Sequence, residues 1–372
     1  LHRALGIAKY GATVGVLCSD RLDLGPFREN AEKLPLGIHP TALTSRREYM
    51  LKAFRPSLDR SQRSRIRDIL QQIQPDLLVL GQPGPDDCHT AILAANDLKI
   101  PVVADVALLL DPALMPMKGG GLRRWWIRRH YALCRSVVTN CRRNAELLED
   151  LGCGSSEHFE VIPTGIHAQD FPPCSSPEIR SRVREEIGLT PDRWAIGFVG
   201  RLSIEKGLDW LIEAFGVARK QHPSMELILI GDGPLRTSLQ EQAEQTDIPI
   251  HFLGWRSEIS ELLWGLDAFI LPSKIEAFPR VIMQAFSARI PVIATRVHGV
   301  PDMVRDGETG WLVEYGDTHQ LVSTLAEISN NPEESLRRVD AAQALVHSEL
   351  DLDHQQAKFA AYLKNLLLQK DS

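Results

Sequence analysis

The segment "SKIEAFPRVIMQAF", Ser273 to Phe286, carries a carboxylate at Glu276 and an amide at Gln284, eight positions later. Between them Pro279 suits a first helical turn, where its missing N–H is not needed, and apolar residues follow at near-helical spacing. This pattern predicts a largely buried helix over 279–288, after a short strand in "DAFILPS" (267–273). Strand, polar turn and helix N-terminus together form the place where open α/β sheets bind phosphorylated ligands. Gln284 would lie about 7 Å along the helix axis beyond Pro279, so one extended ligand could touch both Glu276 and Gln284. The other reading open on this segment alone makes Glu276 a helix cap and Gln284 partly buried packing.

A second group of chemical residues stands in "GFVGRLSIEKGLDW" (197–210). A strand ends at Gly200, and Arg201 and Lys206 flank a short loop before Gly207 and a helix. A guanidinium fork and an ammonium point charge at a strand end suit a diphosphate. The alternative is a surface loop with two solvated cations. "IGDGP" (230–234) adds a turn in which Gly231 and Gly233 would let backbone approach a ligand. It lacks the third glycine of a dinucleotide fingerprint, since Arg236 stands there. No GxxxxGK[ST] loop, GxSxG elbow or HExxH pair is present.

These residues need a scaffold, and the chain supplies short apolar runs alternating with helical patterns. One series comprises "ATVGVLC", "DLLVLG", "IPVVAD", "SVVTN" and "HFEVIPTGI". A Pro- and Ser-rich stretch, "HAQDFPPCSSP" (167–177), then reads as an interdomain connection. The second series runs through "WAIGFVGRL", "MELILIGDG", "IPIHFLGW", "DAFILPS", "IPVIATR" and "TGWLVEY". Strands alternating with helices predict parallel sheets, so the fold class is α/β with two doubly wound domains facing across a cleft. The domains are expected over 1–172 and 173–350, with 351–372 a C-terminal helix packing back on the first. The chain opens on Leu1 with the end of a helix, a Gly11 stop and a strand at 13–17, so a first strand is expected to be missing before it.

Composition restricts the classes. At 372 residues, 44% hydrophobic and 24% charged, the chain is an ordinary globular protein of two-domain size. Residues 1–172 carry 22 Lys+Arg against 19 Asp+Glu, and 173–372 carry 20 against 29, giving +3 and −9. Nucleic acid is not an expected partner. Six cysteines without a CxxC pair point to reduced thiols and a cytoplasmic location. No signal peptide is visible, and no apolar run reaches membrane-spanning length. "RRWWIRRHY" (123–131) sets Trp125 and Trp126 among four arginines. It reads first as an amphipathic surface helix whose tryptophans pack on the sheet, and second as a peripheral membrane contact. In the tail, Asp351-x-Asp353 could be taken for a metal pair, but Asp353 with Gln356 fits a helix capping box better and no metal is expected.

In their order, "GRLSIEKG", "ILIGDGP", "HFLGW", "LPSKIEAFP…QAF" and "PVIATRVHGVPDMVRDGETGWLV" resemble the donor-binding half of the retaining GT-B glycosyltransferases of family 4, the glycosyl transferases group 1. The resemblance is dense over 195–330 and looser in the first half, where "IPVVAD" and "EVIPTGIHAQDF" (160–171) fit the family's organisation. It implies a GT-B fold of two Rossmann-like domains, with acceptor bound by the first and nucleotide sugar by the second. It also implies transfer of a sugar, with retention, to a glycan, lipid-linked or small-molecule acceptor, in carbohydrate biosynthesis. The donor is a co-substrate, with no further cofactor. Arg201 and Lys206 match the family's phosphate-binding positions, and Glu276 matches the first glutamate of its EX7E pattern. The resemblance makes those three the catalytic set. Backbone N–H groups at Ala277 and Phe278, with Gly231 and Gly233, complete the donor-binding set, and Gln284 falls where the second glutamate usually meets ribose.

The sequence departs from that pattern in ways that bear on turnover. Gln284 is an amide, so it offers one acceptor oxygen and an NH2 donor where a carboxylate would accept twice. The family's histidine after "PVVAD" aligns near Ala107, and there is no histidine between His89 and His130. Arg289 and Ala277 stand where glycines are usual. These departures imply reduced activity and keep a second reading open, a catalytically weak homologue acting as a nucleotide-binding or partner subunit. A GT-B sugar-nucleotide epimerase fits "GRLSIEKG" and Glu276 less well.

Overall fold

A computed structural model describes residues 2–19, 37–41, 60–82, 89–109, 120–246 and 248–369. The chain divides into two compact units, Leu1–Pro163 with Asp353–Ser372, and Thr164–Leu352. The division falls nine residues before the expected boundary at 172. The reason lies in backbone pairing: Ile166 bridges to Asp351, and the Ala168 carbonyl accepts from the Ser287 hydroxyl at 2.8 Å, both within the second unit.

In the first unit α1 (His2–Lys9) ends before Gly11, whose φ of 91° is open to glycine without strain. Then β1 (Gly15–Ser19) pairs in parallel with β2 (Gly37–Thr41). The order continues through α2 (Arg60–Ile73), β3 (Leu78–Gln82), α3 (His89–Asp97) and β4 (Val102–Val106). It ends with α4 (Gly120–Tyr131), β5 (Ser136–Thr139), α5 (Arg142–Asp150) and β6 (Phe159–Val161). Strands β3-β4-β5-β6 form a parallel sheet in that order. Alternation along β4 sends Val102, Ala104 and Val106 into one core with Ile66, Ile92, Ile127 and Tyr131. Val103 faces the other way, where it packs with Val138, Ile162, Phe359 and Leu363. Both faces of the sheet are therefore covered, the second by the last helix of the chain, Leu352–Leu368.

The second unit begins with α6 (Pro177–Glu186), capped by the Ser176 hydroxyl on the Ile179 N–H. It proceeds as β7 (Trp194–Val199), α7 (Leu208–Gln221), β8 (Met225–Ile230), α8 (Arg236–Thr246), β9 (Ile250–Gly254) and α9 (Ile259–Leu263). Next come β10 (Ala268–Leu271), α10 (Arg280–Ser287), β11 (Val292–Thr295) and β12 (Trp311–Val313). Helices α11 (Thr318–Asn330), α12 (Pro332–Ser348) and α13 (Leu352–Leu368) close the chain. All six strands are parallel, in the order β12-β11-β10-β7-β8-β9. Every residue of β8, β10 and β11 is buried, which is why they read as unbroken apolar runs. Strand order reverses between β7 and β10, and ligands of open α/β sheets bind beyond the strand ends at such a switch point.

Three local expectations change. Pro279 is the residue before α10, with extended ψ of 113°, not its first helical residue. Helix α13 starts at Leu352, so Asp353 lies inside the first turn, where its carboxylate pairs with Lys9 at 2.9 Å and does not cap. The two tryptophans of α4 do not both pack on the sheet: Trp125 is 50% exposed, while Trp126 is half-buried against His130.

Candidate functional site

The loops after β7 and β10 flank the switch point, and they carry Arg201, Lys206 and Glu276. Backbone packing sets the first of these loops. A Cβ on Gly231 would sit 1.9 Å from the Gly200 carbonyl oxygen, and one on Gly233 would sit 2.4 Å from that of Leu202. Only glycine lets the turn after β8 press this closely on the turn after β7. Bonds between Leu202 N–H and the Asp232 carbonyl, and Leu235 N–H and the Leu202 carbonyl, lock the two turns together. Gly231 and Gly233 thus shape the floor on which Arg201 stands.

The chain then makes one tight turn, Ile204–Lys206, and turns into α7 at Gly207, whose φ is 65°. A side chain at Gly207 would strike the Pro272 carbonyl oxygen at 2.2 Å. That contact brings the β7 loop onto the β10 loop, and the Lys274 N–H donates to the Glu205 carbonyl at 2.8 Å across the same seam. Lys206 Nζ donates to Glu276 Oε1 as a result. The Ser273 hydroxyl donates to the same oxygen at 3.0 Å. Among the described residues Glu276 Oε2 accepts from no protein donor, so half of the carboxylate remains available to hydroxyls of a ligand. The pair is largely enclosed, with side-chain exposures of 21% for Lys206 and 12% for Glu276.

Further bonds hold the carboxylate in place. The Thr295 hydroxyl at the end of β11 donates to the Ser273 carbonyl at 2.5 Å, and the Gly299 N–H reaches the Glu276 carbonyl at 3.4 Å. Lys274 Nζ lies 3.2 Å from Asp209 Oδ2 and 5.4 Å from the Tyr315 ring centroid. Burial opposes the Lys274 charge, but hydrogen bonds to Tyr315 and Asp209 outweigh it and hold its pKa above the ordinary lysine value. Tyr315 in turn meets the edge of Trp210, which donates to the Thr318 hydroxyl. Sequence reasoning missed Ser273, Lys274, Thr295 and Tyr315. Lys274 and Ser273 stand in the quoted segment, but their partners come from other loops and no spacing announces them.

The remaining expected residues are placed as follows. Arg201 is exposed and forms no ion pair among the described residues. The Ala277 and Phe278 N–H groups precede α10 and donate to no acceptor among the described residues, leaving two donors at the head of that helix. Gln284 is half-buried on α10 and makes no side-chain hydrogen bond among the described residues. The structure therefore joins Lys206 to Glu276 directly but does not join Gln284 to either. Arg289 holds the usual glycine position at a φ of 63°, anchored by Asp340 and Gln343. Among the described residues no group of three or more His, Cys, Asp or Glu side chains could hold a metal ion.

In the first unit, Ala107 follows β4 and donates its N–H to the Gln82 carbonyl at 3.0 Å. The buried Asn144 amide accepts from Leu109 N–H at 3.0 Å and donates to the Ala107 carbonyl at 3.2 Å, pinning this turn. His89 and His130, which flank the histidine-free stretch, stack on each other inside the unit with centroids 4.1 Å apart.

Two family models match the chain, Glycosyltransferase Family 4 over residues 2–170 and Glycosyl transferases group 1 over residues 179–345. A GDP-mannose-dependent alpha-(1-6)-phosphatidylinositol monomannoside mannosyltransferase of Mycolicibacterium smegmatis is 30% identical over 190 residues, 48% of this chain and 49% of that protein. A sulfoquinovosyl transferase of Arabidopsis thaliana is 26% identical over 281 residues, 72% of this chain and 52% of that protein. The matches span about half the length of these curated relatives. Among solved structures, Anabaena HepE in complex with UDP superposes with a TM-score of 0.80 at 21% identity, over 98% of this chain and 95% of that one. That likeness shows the architecture, two Rossmann-like parallel-sheet domains of the GT-B type.

Proposed function

Given that its two halves belong to the family 4 and group 1 glycosyltransferases, we propose that this chain moves a sugar from a nucleotide diphosphate sugar to an acceptor hydroxyl with retention of configuration. The observation that carries the reading is the Lys206–Glu276 pair at the switch point, with Glu276 Oε2 and the Ala277 and Phe278 N–H groups open to a ligand. In this reading Arg201 and Lys206 take the donor diphosphate. Glu276 accepts hydrogen bonds from hydroxyls of the transferred sugar, and Gln284 faces the ribose. The bond from the anomeric carbon to the diphosphate oxygen breaks, and the acceptor oxygen bonds to that carbon. The acceptor's proton leaves with the diphosphate. Negative charge that develops on the leaving group is met by two fixed cations and the head of α10, so the reading calls on no metal ion. Proximity and charge stabilisation are the protein's whole contribution.

The relatives differ in donor, GDP-mannose in the name of one and UDP in the bound state of another, so the base is a matter for experiment. The acceptor class is a glycan, a lipid-linked sugar or a small molecule, and the proposed location is the cytoplasm. The test is a binding screen of UDP-, GDP- and ADP-sugars, followed by donor hydrolysis and by product anomer assignment with NMR. Binding with turnover and a retained anomer is the expected result. Binding without turnover would replace this reading with a nucleotide-binding subunit.

A further inference from the structure

The helix α4 presents a surface that the donor site does not use. Residues 120–145 contain seven arginines and not one Asp or Glu, in a chain whose net charge is −6. At about 100° per residue, Ile127, His130 and Tyr131 fall on one side of α4. All three are buried in the first unit. Trp125, Arg128 and Arg129 fall on the outer arc, Arg124 lies at its edge beside Tyr131, and all four are exposed. The inner face thus fixes which way the outer face looks. Among the described residues none of these three arginines has an ion-pair partner. Arg129 instead lies 5.6 Å over the Trp125 ring, and Trp125 itself is 50% exposed.

We infer that this face of α4 docks on a bilayer surface bearing anionic lipid headgroups. Three guanidinium groups without an ion-pair partner among the described residues supply attraction to phosphate. The exposed indole supplies what a soluble acidic partner would not require, an amphipathic ring suited to the headgroup level. Among the described residues no helix is long and apolar enough to cross a membrane, so this is a contact lying on the surface. The inference goes beyond the donor chemistry and does not depend on it.

The test is sedimentation of the full chain with vesicles of phosphatidylcholine alone, or of equal parts phosphatidylcholine and phosphatidylglycerol. Binding is expected only to the anionic vesicles, and salt should weaken it as the Debye length shrinks. A triple variant, Arg124→Gln with Arg128→Gln and Arg129→Gln, should weaken binding on the order of 100-fold, from about fivefold per arginine. Trp125→Ala should weaken it roughly tenfold through lost apolar burial. Nucleotide-sugar binding by both variants should equal that of the parent, and circular dichroism with thermal unfolding should show that the first unit, which carries α4, is folded in both. Equal binding to both vesicle types, unchanged binding by the triple variant, or capture by single-stranded RNA but not by vesicles would each overturn the inference. Loss of nucleotide binding in the parent chain with vesicle binding intact would sink the proposed function and leave this surface standing.

Discussion

Lys206 and Glu276 lie 70 residues apart in sequence, yet the lysine ammonium donates to the glutamate carboxylate between the ends of β7 and β10. Two backbone features make the meeting obligatory. Gly207 lets α7 start against the Pro272 carbonyl, and Lys274 N–H bonds the Glu205 carbonyl. Under the proposed function this cation and anion divide the donor between them, the phosphate to Lys206 and the sugar hydroxyls to Glu276.

Lys206→Ala and Arg201→Ala should each weaken nucleotide diphosphate binding by about 2 kcal/mol through loss of charge-assisted contacts. Nucleoside monophosphate binding should suffer less, because fewer phosphate oxygens are at stake. Titration calorimetry with UDP or GDP and with the matching monophosphate measures the difference. Unchanged diphosphate affinity in both variants would remove the donor-site assignment.

Gly207→Ala should cost both stability and ligand affinity. The left-handed φ alone costs a residue with a Cβ roughly 1–2 kcal/mol. The new methyl would also overlap a backbone carbonyl and the Tyr315 ring, and backbone cannot step aside cheaply. The expected loss is about 2 kcal/mol or more in denaturant unfolding of the second unit. Because Tyr315 and Lys274 lean on the same spot, donor binding should fall with it. A variant as stable as the parent would show that the loop has slack that its contacts do not reveal.

Much of this architecture is legible because parallel strands buried on both faces announce themselves as apolar runs, as in "MELILI" and "AFILP". Strand β2 is not legible: Gly37, His39 and Pro40 carry no β signal, and its strand form shows in parallel pairing with β1. The resemblance groups Arg201, Lys206 and Glu276, which their local motifs do not, and the structure joins Lys206 to Glu276 while Arg201 stands exposed. Ser273 and Thr295 are not legible, since their roles arise where three loops converge. Arg289 is the clearest conflict between local and global demands. Its φ favours glycine, but Asp340 and Gln343 hold its guanidinium, so side-chain anchoring offsets backbone strain.

The first unit should lose stability in mild acid. Burial holds the His130 pKa below its ordinary value; the bond from Nδ1–H to the Trp126 carbonyl opposes this, and Arg129 adds to the lowering. The folded state therefore resists a proton that the unfolded chain accepts below about pH 6.5. Stability from this group is present in full above that pH and is lost as pH falls toward the depressed folded value, by up to about 1.4 kcal/mol per pH unit. Thermal midpoints between about pH 7 and pH 5.5 should decline in the parent and decline less in His130→Gln. Equal slopes would mean that other groups govern the acid limb.

The sharpest test of the donor reading is an asymmetry between Gln284→Glu and Glu276→Gln. Gln284 is half-buried with no side-chain hydrogen bond among the described residues, so a carboxylate there breaks no existing contact. If it faces ribose, far from the bond being broken, it contributes equally in ground and transition states. Gln284→Glu should then lower KM by about 1–2 kcal/mol worth of binding and leave kcat nearly unchanged. Glu276 is different, because Oε1 is already committed to Lys206 and Ser273 and only Oε2 can hold the sugar. Glu276→Gln removes the charge that aligns Lys206 and replaces one acceptor oxygen with a donor, so the reacting carbon is misplaced. Its effect should appear chiefly in kcat. Steady-state kinetics at saturating acceptor, with circular dichroism to exclude unfolding, separates the two. If Glu276→Gln leaves kcat intact, the carboxylate only braces the β10 loop; if Gln284→Glu abolishes binding, the amide belongs to a ligand contact that a second negative charge repels.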